Sequence, residues 1–183
     1  PASTTAADVI AVARHDAPVQ ISGEVLEKLA QVREHIDALA HAETPVYGIS
    51  TGFGALATRH IGPQDRAKLQ RSLIRSHAAG MGEPVEREVV RALMFLRAKT
   101  LASGHTGVRP VVLETMVALL NAGITPVVRE YGSLGCSGDL APLSHCALVL
   151  MGEGEATDRS GVIRPVPELL SEAGIAPIQL AEK

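Results

Sequence analysis

Residues 111–121, VVLETMVALLN, are apolar nearly all round when wound at 3.6 residues per turn. A helix of this kind has no broad face to give to water and has to be enclosed by other elements. It therefore fixes one core helix at the outset and predicts that further chain covers it. The rest of the core must come from Leu, Val, Ile and Ala, because the 183 residues include no Trp, two Tyr and two Phe, while 46% are hydrophobic. This composition favours packed helices and argues against disorder. It also argues against aromatic platforms for single-stranded nucleic acid, and a net charge of −3 implies no patch for a polyanion. The length suits one domain or slightly more.

Hydropathy and residue spacing exclude further classes. No apolar stretch approaches the length needed to span a membrane. The start, PASTTAADVIAVARHD, lacks the charged segment and apolar block of a signal peptide. A cytoplasmic protein with no nucleic-acid or membrane partner is expected. Cys136 and Cys146 make neither a disulfide framework nor a zinc signature, and the seven histidines contain no HExxH pair. No metal is expected.

Periodicity and punctuation predict a mainly α chain with short strands as decoration. Thr4 or Thr5 caps a helix through about Arg14, residues 18–21 are extended, and Ser22 caps a helix with Val25, Leu29, Val32, Ile36 and Leu39 at helical spacing. After Pro45 comes a glycine-bearing loop, and Pro63 opens a helix to about Ala79. Residues 84–103 form the next helix, with Val85, Val89, Leu93, Leu96 and Leu101 facing one way and Glu86, Arg87, Arg91 and Lys99 on the polar face. Residues 104–110 turn. The segment after Gly123 reads as irregular, followed by a helix over 139–151, a small hairpin around Ser160-Gly161 and a last helix over 166–173.

Two glycine-rich loops stand out: Tyr47-Gly48-Ile49-Ser50-Thr51-Gly52-Phe53-Gly54, and residues 132–143, GSLGCSGDLAPL. Neither fits a phosphate loop, since there is no GxxxxGK[ST] and no strand–GxGxxG–helix unit. The second loop allows a different chemistry. In a tight turn at Gly138, which has no Cβ, the Gly138 nitrogen can attack the carbonyl carbon of Cys136. Loss of water closes a five-membered ring, and dehydration of Ser137 leaves an exocyclic methylidene. The electrophile would sit at the positive end of the 139–151 helix.

The segment GSLGCSGDLAPLSHCALVLMGEGEA resembles the signature of the aromatic amino acid ammonia-lyases, whose Ala-Ser-Gly triad cyclises to 4-methylideneimidazol-5-one (MIO). VYGISTGFGALA resembles that family's tyrosine-bearing loop, and LQRSLIRSHAAGMGEP its substrate-selecting helix. The resemblance implies that Ser137 becomes the methylidene carbon, with Cys136 and Gly138 supplying the rest of the ring. It implies a catalytic role for Tyr47 in proton removal, with a hydrogen-bonded loop anchor as the alternative, and substrate contacts from Gly54, Ser76 and His77. No dissociable cofactor is implied. The triad departs from the family in its first residue, Cys136, whose side chain hangs off the ring, and Ser50 stands where the family usually has Asn.

Spacing places His77 four residues after Leu73 and eight after Leu69, on the buried stripe of its helix. Read from the helix alone, such an imidazole is more often a satisfied core residue than a ligand. The Ser76-His77 pair resembles the histidine branch, because an imidazole here can hydrogen-bond a substrate imidazole. This implies elimination of ammonia from L-histidine to give urocanate, with phenylalanine or tyrosine ammonia-lyase or aminomutase chemistry as the alternative. Asp139 is expected to complement the helix start, His145 and Cys146 to pack, and Glu153 and Glu155 to be surface charges. Family chains are more than twice as long. The resemblance therefore implies that residues 1–183 are the N-terminal, MIO-bearing portion of an ammonia-lyase, without its central helical bundle and C-terminal part. It further implies a homotetramer at full length and an inactive helical fragment for these residues alone.

Overall fold

The computed structural model describes residues 4–136 and 138–181. Among them run seven α-helices and five short strands: α1 (Ala6–His15), α2 (Gly23–Ala40), α3 (Pro63–His77), β1 (Met81–Pro84), α4 (Arg87–Ala102), α5 (Pro110–Ala122), β2 (Thr125–Pro126), β3 (Arg129–Tyr131), α6 (Leu140–Leu150), β4 (Glu155–Thr157), β5 (Ile163–Pro165) and α7 (Val166–Ala173). The mainly α expectation holds. The strands form an antiparallel β1–β3 ribbon and a β2–β4–β5 sheet, in which the expected hairpin is the β4–β5 pair. Two segments differ from expectation: residues 81–84 and parts of 125–131 are strand rather than simple breaks, because β1 and β3, and β2 and β4, satisfy each other's backbone. Residues 18–21 pair with no strand. The Asn121 side chain serves as their partner, accepting from Val19 N–H and donating to Val19 O, both at 2.9 Å.

Local signals set the helix ends. Thr5 and Asp8 form a reciprocal capping box at α1. Ser22 occupies the N-cap of α2 without a side-chain cap bond, and Pro stands at the first turn of α3 and α5.

Helix α5 lies at the centre of the core. Leu113, Met116, Val117, Leu119 and Leu120 are buried among Leu29 of α2, Val90, Met94 and Leu101 of α4, and Val149 and Leu150 of α6. Most of the cover predicted for α5 thus comes from within this chain, and only its N-terminal Val111 is an exposed large apolar side chain.

The predicted face of α4 is rotated. Its buried residues are Val90, Arg91, Met94, Ala98 and Leu101, while Val89 and Leu96 are about half exposed. Val85 misleads the phase because it precedes the helix, its N–H donating to Val128 O. Counting from Val85 turns the stripe by one residue, or about 100°. Arg91, expected on the polar face, is fully buried. It donates to Val12 O near the end of α1 and to Leu120 O near the end of α5, at 2.9–3.2 Å. It also meets Asp16 at 2.9 Å. A guanidinium with five donors can satisfy two helix C-termini at once, which is what makes its burial tolerable.

Candidate active site

The tyrosine loop is rigid in its backbone and open at its side chain. Ser50 is fully buried: its Oγ accepts from Val46 N–H at 2.9 Å, and its carbonyl accepts from Ile61 N–H at 2.8 Å. Thr51 Oγ1 accepts from Gly48 N–H and donates to Gly52 O. These bonds fold residues 46–61 into a closed unit, so Ser50 braces the loop rather than facing a ligand. Gly48 has φ 72°, and a Cβ there would lie 3.0 Å from the Phe53 ring. Tyr47 is 60% exposed and stands edge-on to Phe53, with ring centroids 5.7 Å apart. Its hydroxyl bonds to no described residue. Gly54 opens the 3₁₀ turn over Gly54–Leu56 with φ 54°.

Ser76 and His77 end α3. His77 is half-buried, so the expectation of a buried stripe is corrected: Leu69 and Leu73 are also only partly covered, because the buried side chain of this helix is Arg66. His77 Nδ1 lies 2.9 Å from Leu73 O. A carbonyl only accepts, so Nδ1 carries the proton in this contact, and in the neutral imidazole Nε2 keeps its lone pair. Ser76 Oγ donates to Leu73 O at 2.9 Å and lies 3.0 Å from His77 Nδ1. The imidazole orientation is thus set from within the last turn of α3, leaving Nε2 without a partner among the described residues.

The second glycine loop is tied back on itself. Ser137 lies outside the described residues, and its flanks are Cys136, exposed and unpaired, and Gly138, exposed with φ 73°. Asp139 is the N-cap residue of α6 but makes no side-chain cap bond. It binds backwards instead: Oδ1 accepts from Leu134 N–H at 2.9 Å, and Oδ2 accepts from the Ser133 hydroxyl. Standing at the helix start, the carboxylate thus caps no α6 N–H and acts as a loop clamp. The carboxylate satisfies donors in the loop because the sharp turn at Gly138 brings residues 133–134 within its reach. Gly138 also lines a cleft of about 310 Å³ with Gln70 of α3, Arg97 of α4 and Leu140 of α6. None of Tyr47, Gly54, Ser76 and His77 lines that cleft, and no hydrogen bond among the described residues joins them to Cys136 or Gly138.

What does join α3 and the segment after it to α6 and the turn beyond was not visible in the sequence. Gly80 N–H donates to His145 Nε2 at 3.0 Å, and Arg75 forms a two-point ion pair with Glu153 at 2.7–2.8 Å. Hydrogen bonds from Arg75 hold the Glu153 carboxyl below the usual range despite some burial, so Glu153 is a tie rather than a surface charge. Glu155 is exposed as expected, 3.8 Å from Arg129. Cys146 packs as expected: burial pushes its thiol up to about 12, which removes it as a nucleophile. Among the described residues there is no cluster of metal-ligating side chains and no helix long and apolar enough to cross a membrane.

Comparison with known proteins matches this arrangement to a family. The model of the aromatic amino acid lyases matches residues 4–183. Histidine ammonia-lyase of Streptomyces griseus is 69% identical over 180 residues, covering 98% of this chain and 35% of that protein. Tyrosine aminomutase from Streptomyces globisporus superposes with a TM-score of 0.91 at 39% identity, over 98% of this chain and 34% of its own. Histidine ammonia-lyase from Trypanosoma cruzi gives 0.84 at 36% identity, over 94% and 33%. The chain spans about a third of the length of the curated relatives it matches. Matched in sequence and in fold along almost all its described residues, this chain belongs to the aromatic amino acid lyase family.

Proposed function

We infer that these residues are the N-terminal portion of a histidine ammonia-lyase, which eliminates ammonia from L-histidine to give urocanate. The observation that carries the reading is the 69% identity to a histidine ammonia-lyase along nearly the whole chain, and the Ser76-His77 pair supports it. His77 Nε2 is an acceptor oriented by Leu73 and Ser76, which suits the N–H of a substrate imidazole. A phenyl or phenol ring would leave this nitrogen without its bond.

The flanks of Ser137 fit the MIO ring. Gly138 has a left-handed φ and open space where a Cβ would be, and Asp139 draws residues 133–134 back toward α6. Cys136, Ser137 and Gly138 would form the ring, with no dissociable cofactor. When present it supplies an electrophile that either improves the amine as a leaving group or acidifies the β-proton. Tyr47 takes part in removing that proton, its exposed hydroxyl being accessible to a substrate. A base role requires neighbours that favour the phenolate. Gly54 keeps the end of the tyrosine loop free of side chain beside the substrate.

In this reading the activity belongs to a cytoplasmic homotetramer of chains as long as the relatives. The test is full-length protein assayed for urocanate by its ultraviolet absorbance, together with intact mass. Urocanate formation and a deficit of two waters are expected, and Ser137→Ala should abolish both. Turnover of phenylalanine or tyrosine in preference to histidine would replace the substrate assignment, and an unmodified mass would reject the ring.

A further inference from the structure

Besides the Arg75–Glu153 pair, one hydrogen bond links the segment after α3 to α6. Gly80 stands three residues after His77, and its N–H donates to Nε2 of His145, in the second turn of α6. The packing around the bond leaves little play. A Cβ on Gly80 would lie 2.9 Å from that same Nε2 and 3.3 Å from Arg129 Cβ. A Cβ on Gly132, the first residue of the second glycine loop, would lie 3.2 Å from Gly80 Cα and 3.1 Å from Ala141 Cβ. The end of α3, the root of the loop and the first turn of α6 thus meet at one point, and His145 supplies the hydrogen bond there.

We propose that His145 is a positioning residue for the ammonia-lyase reaction, its Nε2 lone pair holding Gly80 so that His77 keeps its register against the loop and helix that follow Gly132. The proposal rests on the functional reading above. It also gives the bond a pH dependence. A protonated imidazole has no lone pair to accept with, so Gly80 N–H loses its partner when His145 becomes charged. Burial, and then the charge of Arg129, hold His145 below the ordinary histidine value, so the bond persists through neutral pH. The other charged groups beside it are Glu153 and Glu155, which line the same small cleft. Glu153 is committed to Arg75 and Glu155 lies nearest Arg129, leaving no carboxylate bonded to the imidazole.

The test uses the full-length enzyme with His145→Leu, which removes the acceptor, and His145→Gln, whose amide oxygen can accept but does not titrate. His145→Leu should lower kcat/KM for L-histidine about tenfold or more, as expected for a site displaced by a fraction of an ångström, and should speed hydrogen exchange at the Gly80 amide. His145→Gln should restore both to within about threefold of wild type. In wild type, Gly80 protection and kcat/KM should fall together on acidification, with one more proton than in His145→Gln. The proposal is overturned if His145→Leu matches wild type in exchange and kcat/KM, or if His145→Gln exchanges at Gly80 as fast as His145→Leu. It is also overturned if His145→Gln retains the full acid step. Should His145→Leu not fold, the acid step of His145→Gln against wild type decides. A wild-type enzyme that makes no urocanate would sink the functional reading, while exchange at Gly80 would still report on the joint.

Discussion

His77 and Arg91 are two polar side chains on helices whose surroundings the helical period misjudges in opposite directions. His77 reads as buried and is only partly buried, with Nδ1 committed to Leu73 O and Nε2 without a partner among the described residues. Its value to the fold is one local hydrogen bond, worth about 1 kcal/mol. Its value to catalysis, if it receives the substrate imidazole, is larger. His77→Leu should therefore lower kcat/KM for L-histidine about 100-fold while shifting thermal unfolding by only a few degrees. Parallel loss of turnover and stability would instead identify a packing residue. Arg91 reads as exposed and is fully buried, and nothing in its own helix says so. The partners that make its burial possible, Val12 O and Leu120 O, lie 79 and 29 residues away.

Elements are more legible than their faces. Capping and breaking residues mark the ends of α1, α6 and α7 to within a residue or two, since caps and Gly or Pro act through the local backbone. The phase of α4 is misread because Val85 lies between β1 and α4. The strands of the β1–β3 ribbon escape notice because Met81 pairs with Tyr131 and Pro84 with Arg129, far along the chain, and they carry no alternation. In the second glycine loop, the residues proposed to form the ring can be picked from their motif, but the clamp cannot be. Asp139 stands where an N-cap belongs, and only the folded loop reveals that its carboxylate serves Ser133 and Leu134. Asp139→Ala should thus leave helix content unchanged, because no cap bond is lost. It should lower the fraction of full-length protein whose mass shows the two-water deficit, because the loop is no longer drawn tight for closure. A full deficit in this variant would show that the clamp is not needed for the ring.

Across the whole molecule, α1, α4 and the β4–β5 turn converge on one carboxylate. Asp16 ends α1 with φ 51°, a left-handed conformation that Asp and Asn tolerate better than most residues. It meets Arg87 and Arg91 at 2.9 Å and Arg159 at 3.3 Å. Burial works to raise its pKa, but the hydrogen bond from Arg87 and the charges of Arg91, Arg87 and Arg159 outweigh it, holding the carboxyl below the usual range. Three guanidinium groups, one of them fully buried, then depend on a single anion. Asp16→Asn keeps a side chain suited to the backbone and removes only the charge. It should destabilise the protein by about 3 kcal/mol at neutral pH, as expected when one partner of a largely buried ion pair is lost. The folded pKa lies below the unfolded value of about 3.9, so the wild-type advantage is complete above that pH and is lost as pH falls through the folded value. Denaturant unfolding of both proteins across pH 7 to 3 should show a constant gap that closes only at the acid end. A gap already closing near pH 6 would mean that a histidine, not Asp16, governs the joint. Equal stabilities at pH 7 would mean that the arginines are held by the backbone carbonyls alone.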